Sequence, residues 1–194
     1  MINDNFVFLG AAIFFFGSIG YFVDTIKGKV KPNRVTWFIW SLAPLIAFIA
    51  QLKQGVGIHQ ALLTFMVGFI PLIIFIASFV NKKAYWKIGK LDIICGVLSL
   101  VGLFLWYITG TGIIAIFFAI LADGLAAFPT VIKSFKFPET ENWILYFANA
   151  ISAGITLLTI KIWNPETFAF PLYILLLTLL LSVLIKFKIG KLKV

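Results

Sequence analysis

Side chains able to do chemistry are scarce in this chain. Its 194 residues include one histidine, His59, one cysteine, Cys95, and only seven aspartates and glutamates. That leaves no His and Cys cluster at metal-ligand spacing and too few carboxylates for paired acid–base work at one depth. A G-x-S-x-G elbow and a phosphate-cradling Walker loop are missing too. An enzyme, an ATP-driven pump and a resident cofactor or metal are therefore not expected. The lone cysteine forms no internal disulfide and, lying inside an apolar run, reads as a small buried apolar residue. No basic n-region precedes the first apolar run, which is therefore read as a mature helix.

Charge is scarce as well. Charged residues make up 12% of the chain against 62% apolar, and mean hydropathy is +1.08. Soluble domains are only about half apolar, so the composition predicts an all-α integral membrane protein in contact with a lipid bilayer. The net charge of +9 does not point to nucleic acid, because the basic residues are dispersed over short connections with no basic face or stacking groove.

Spanning about 30 Å of hydrocarbon takes about twenty helical residues. Seven apolar runs qualify, at 6–23, 35–52, 58–80, 91–107, 112–135, 143–162 and 168–185. Of the sixteen Lys and Arg, fourteen fall in alternate connections and the C-terminal tail, leaving only Lys53 and Lys161 on the other side. Because Lys and Arg resist translocation, this bias predicts an outside N-terminus and a cytoplasmic C-terminus.

A proline followed five residues later by tryptophan occurs twice, as Pro32 with Trp37 and, 106 residues on, Pro138 with Trp143. At that offset Phe22 meets Phe128, Ile26 meets Ile132, Lys27 meets Lys133, Ala47 meets Ala153 and Ile49 meets Ile155. Those seven identities in 28 residues compare with about two or three by chance in so narrow an alphabet. Two three-helix copies can point the same way only if one extra helix joins them. The expected plan is 3+1+3 with parallel repeats, dividing the chain at 1–80, 81–111 (the linker with the fourth helix) and 112–194. Transporters with repeats bind substrate near the midplane between them.

The stretch Phe128-Pro129-Thr130 to Lys136, followed by Pro138-Glu139-Thr140-Glu141-Asn142, resembles the PQ-loop motif of the SWEET and SemiSWEET sugar transporters. Threonine follows Pro129 where that family often has glutamine, and Val23 stands in the first copy where the second has Pro129. The segment Glu141 to Tyr146, with Asn149 one turn later, is similar to the sixth-helix segment of the Pnu vitamin transporters, where an aromatic pair followed by a polar residue contributes to the substrate site. The resemblances imply a seven-helix transporter that moves a small polar solute such as a sugar, nucleoside or vitamin-like compound by alternating access. The expected location is the cytoplasmic membrane of a prokaryote, with self-association left open. A membrane receptor on the same fold, as the KDEL receptors resemble SWEETs, and a structural membrane protein are the alternatives.

Asp123 stands near the middle of the fifth run, where an unpaired carboxylate costs about 3 kcal/mol even on the lenient insertion scale. Asn149 lies about 9 Å along the sixth run from Trp143, and the two residues are the expected polar floor of a cavity if helices 5 and 6 pack antiparallel. The rival reading makes Asp123 a structural lock and Asn149 interhelical glue. The pairs Trp37 with Trp40 and Trp143 with Tyr146 share helix faces at i and i+3. Trp40 and Tyr146 are candidate stacking walls for a ring, while Trp37 and Trp143 read as interfacial anchors. Pro44, Pro71 and Pro129 can kink helices, and Pro32, Pro138, Pro44 and Pro129 are the candidate hinge or motif prolines. Gly17, Ser18 and Gly20, with Gly124, Ala126 and Ala127, read as sites of close helix packing. His59 and Asp24 read as interfacial or boundary polar residues, and Asp92 as a favourable charge at a helix N-terminus.

Overall fold

The computed structural model describes residues 2–3, 5–53, 58–109 and 112–191. Among these residues there are seven α-helices and no strand: α1 Phe6–Ile26, α2 Arg34–Lys53, α3 Ile58–Ala77, α4 Lys90–Thr109, α5 Ile113–Lys136, α6 Trp143–Thr159 and α7 Pro165–Lys186. Four segments, Phe6–Ile26, Lys90–Thr109, Ile116–Lys136 and Thr167–Lys186, are long and apolar enough to cross a membrane. The apolar helical stretches Arg34–Ile49, Phe65–Ala77 and Trp143–Thr159 are shorter.

Helix ends follow local chemistry more than hydropathy. Asn142 caps α6 by accepting from the Ile144 amide at 3.0 Å. At α7 the Asn164 side chain and Thr167 form a reciprocal capping box, with Pro165 in the first turn. That box starts α7 three residues before the apolar run does, because it satisfies otherwise orphaned amides and Pro lacks one of them. Four helices carry internal prolines, Pro44, Pro71, Pro129 and Pro171.

Packing does not follow chain order. α3 lies against both α1 and α2, and α7 lies against both α5 and α6. α1 also packs along α6 and, over a shorter stretch, α2 meets α5. α4 lies mainly against α5 and also touches α2. Small residues allow the closest of these approaches. A Cβ built on Gly17 of α1 would lie 2.3 Å from the Cβ of Ala148 on α6, and one on Gly102 of α4 would lie 2.9 Å from that of Ala122 on α5.

One end of the bundle gathers the basic connections. The Lys31 amide donates to the Thr140 carbonyl at 2.8 Å, tying the two proline-tryptophan loops together. Asn81 donates to the Ile26 carbonyl at 2.9 Å, Arg34 to the Ser78 carbonyl at 2.7 Å, and Lys191 pairs with Glu139 at 2.7 Å. Most of the core sits at this end, where Tyr21, Val30, Trp37, Ile70, Ile74, Leu145, Tyr146 and Leu181 form one cluster. Towards the other end α2, α5 and α7 lose their cover: no described side chain at 42–49, 112–121 or 161–177 is buried.

Candidate functional site

Asp123 is half-buried on α5 and accepts a hydrogen bond from the Tyr173 hydroxyl of α7 at 2.8 Å. Gly124 lies beside that ring, and a Cβ there would be in ordinary van der Waals contact with it, 3.4 Å from the Tyr173 oxygen. The Trp40 indole of α2 faces the carboxylate, and its buried Nε1 completes no hydrogen bond. No lysine, arginine or histidine among the described side chains pairs with Asp123. A carboxylate, a phenol and an indole from three helices thus meet where α2, α5 and α7 lose their cover.

Asn149 does not join that contact. It is half-buried on α6 and its amide makes no hydrogen bond to any described residue. The pairing expected from chain order, α5 against α6, gives way to α7 lying between them, so that Tyr173 is the partner of Asp123. Asn149 and Trp40 nevertheless stand in one layer. Each is three residues, about 4.5 Å, beyond the Tyr146 and Trp37 rings, whose centroids lie 6.5 Å apart.

Beneath that layer the basic end is closed by a group of polar residues that hydropathy does not reveal. The Glu141 carboxylate is buried and accepts from the Tyr21 hydroxyl at 2.7 Å, the Tyr146 hydroxyl at 2.9 Å and the Lys133 ammonium at 2.5 Å. Lys133 also donates to the Lys31 carbonyl and lies 5.1 Å from the Trp86 ring. Elements α1, α5, α6 and the loop before α2 are therefore tied through one carboxylate, called here the latch. Its lone pairs and charge are matched, as burial of an ion requires. Lys133, one of the fourteen basic residues counted in the connections, is 1% exposed. Tyr146 belongs to this latch, with its hydroxyl on Glu141, and does not reach Asp123.

Trp37 reads as an interfacial anchor in the sequence but is 1% exposed, packed on Tyr21 at 5.1 Å and edge-on to Trp40 at 5.3 Å. Its place is the core, because α3 and α6 cover the face that a lone helix would show to its surroundings. Trp143 is half-buried, with the Lys186 ammonium 4.4 Å above its ring. The α2 and α5 backbones meet where Thr36 donates to the Ala126 carbonyl at 2.7 Å and Thr130 to the Thr36 hydroxyl at 3.0 Å. Pro129 lies at that seam, Pro44 lies in α2 beside Gly68 of α3, and Pro32 and Pro138 are buried in the joined loops.

Asp92 caps α4, accepting from the Gly89 amide and from Asn33, both at 2.6 Å. Asp24 accepts from Asn142 at 2.9 Å, with the Lys29 ammonium at 3.9 Å. The Lys191 ammonium holds the exposed Glu139 carboxyl below its usual range. The His59 side chain lies outside the described residues.

Two open apolar grooves mark the outside of the bundle. One of about 470 Å³ runs along α7 past Leu172, Tyr173 and Leu176, and one of about 220 Å³ lies over Phe22, Ile73 and Val80. Neither is lined by Asp123 or Glu141. Compared with protein-family models, curated proteins and solved structures, the chain matches none.

Proposed function

We propose that the chain is a membrane transporter that moves a small polar solute by alternating access between α1–α3 and α5–α7, with α4 as the linker of a 3+1+3 plan. The observation that carries this reading is the uneven closure of the bundle. A dense core and a buried carboxylate latch seal the basic end, whereas α2, α5 and α7 are uncovered above Trp40 and Asp123. This is the form expected of a transporter closed to one side and open to the other. Two further features support it. Each triplet has its third helix packed against the other two, as a parallel repeat requires, and the basic connections cluster at one end, which the positive-inside rule assigns to the cytoplasm. The likeness of the Pro129 and Glu141 segments to PQ-loop and Pnu transporters agrees with the plan.

In this mechanism the solute enters from the side away from the basic end and rests against Asp123, Trp40 and Asn149. The uncovered halves of α2, α5 and α7 then close over it, while the latch parts and releases Lys31 from Lys133. Pro44 and Pro129 lack one backbone bond each and are the points at which α2 and α5 bend. Movement is downhill unless a second ion binds. Purified protein in liposomes tests the reading through uptake of sugars, nucleosides, vitamins and amines. Loss of uptake in Asp123→Asn and Asn149→Ala proteins is expected, and unaltered uptake of every transported solute by both would remove the site.

The Tyr173 bond to Asp123 also favours a second reading, a structural membrane protein in which that bond locks α5 to α7. A receptor on the same fold would bind its ligand without moving it. Flux separates both from transport.

A further inference from the structure

Three interior carboxylates among the described residues are provided for differently. Asp92 is buried at the N-terminus of α4, where the Gly89 amide and Asn33 donate to it and the helix end favours its charge. Glu141 has its own cation, Lys133, together with two phenol donors. Asp123 has the Tyr173 hydroxyl at 2.8 Å, an indole N–H that completes no bond to it, and no basic partner among the described side chains. Buried charges are paired or they neutralise themselves. Among the described side chains a counter-charge is present at the latch and none at Asp123, where the helices are uncovered. Beside the carboxylate stands the Trp40 ring, and tryptophan is the aromatic side chain whose face best attracts a cation.

We infer that the group recognised at Asp123 is a small organic cation, a quaternary or protonated amine whose charge pairs with the carboxylate while its alkyl substituents lie on Trp40. This inference rests on the transporter reading of the same site and names its substrate class. An anion would meet Asp123 with no compensating cation among the described side chains. A neutral polyol could bond to Asp123, Tyr173 and Asn149 but would leave the charge uncompensated. A cation resolves that imbalance without displacing Tyr173, because a carboxylate oxygen has a lone pair beyond the one the phenol uses.

A matched pair of probes tests the charge alone. Choline and its neutral carbon isostere 3,3-dimethyl-1-butanol have the same shape, and each is titrated into the purified full chain with thermal unfolding as the readout. Glucose and acetate serve as neutral polyol and anion. At a hundredfold excess over its Kd, choline is expected to raise Tm by about 5–11 °C, with no comparable rise for the other three. The shift should vanish in Asp123→Asn and shrink in Trp40→Leu. An equal rise with the isostere or with glucose, a choline shift retained in Asp123→Asn, or no shift with any probe overturns the inference. The unmutated protein alone decides the first and last outcomes, so a variant that folds poorly does not blur them. Liposome flux separates this idea from its premise. Choline that binds but never crosses defeats transport and spares the cation site, whereas a transported neutral solute with no choline binding does the reverse.

Discussion

Glu141 holds one carboxylate against three donors, and its substitution by glutamine gives the most demanding test of the closed basic end. Glutamine keeps the shape and one carbonyl oxygen but removes the charge that faces Lys133. The ammonium then stays buried, 1% exposed, with the Lys31 carbonyl and the Trp86 face for company. Breaking a buried pair by removing one partner costs about 3–5 kcal/mol, because an uncompensated charge is left behind. If opening rehydrates Lys133, that cost falls on the closed form alone. At about 1.4 kcal/mol per tenfold, the lower figure shifts the balance towards opening by about a hundredfold. Replacing Lys133 by methionine as well removes the stranded charge, so the double variant should recover most of the closure. The reporter is Thr130→Cys in a Cys95→Ser background, since Thr130 lies buried at the α2–α5 seam and Thr36 keeps its own bond to Ala126 without it. A membrane-impermeant thiol reagent added from the basic side should label that cysteine about a hundredfold faster in Glu141→Gln, and near the original rate once Lys133→Met is added. Equal labelling in the presence and absence of Glu141→Gln, or no recovery in the double variant, would refute the latch as a gate.

Two further outcomes follow from packing and capping. Gly17→Ala drives a methyl group into Ala148 across α1 and α6 and should destabilise by about 2 kcal/mol, or about 4–8 °C in Tm for a chain of this size, with recovery when Ala148→Gly is added. Asn142→Ala removes both the α6 cap and the bond to Asp24; a loss of about 1 kcal/mol is expected by thermal unfolding, and Asn142→Ser should recover the part that belongs to the cap.

The seven helices are legible in the sequence because hydrophobic run length, the signal used, is the property that fixes them. Their ends are less so. α7 begins early because Asn164 and Thr167 satisfy each other's backbone, a cue visible as spacing but masked by the polar look of the segment. Asp123 stands out as a lone charge in an apolar run. Its partner does not, because Tyr173 is fifty residues away and only the placement of α7 between α5 and α6 brings it near. Lys133 is the hardest case. It occupies a helix end rich in lysine, where charge counting treats all members alike, and its partner Glu141 lies across a turn with no periodic relation to it. The one available hint was the repeated lysine pair, Lys27 and Lys133, one solvated and one buried.

In each triplet the helix synthesised last is the one that stands between the first two. While the ribosome is still making α3, α1 and α2 lack the surface that each of them buries against it. The same holds for α5 and α6 until α7 is complete. Folding of each group of three is therefore an act of wedging, finished only when its third helix arrives, and α7, Pro165–Lys186, closes the second. Truncation within α7 should consequently loosen α5 and α6, and with α6 the surface on which α1 lies, while α2 keeps its contact with α3.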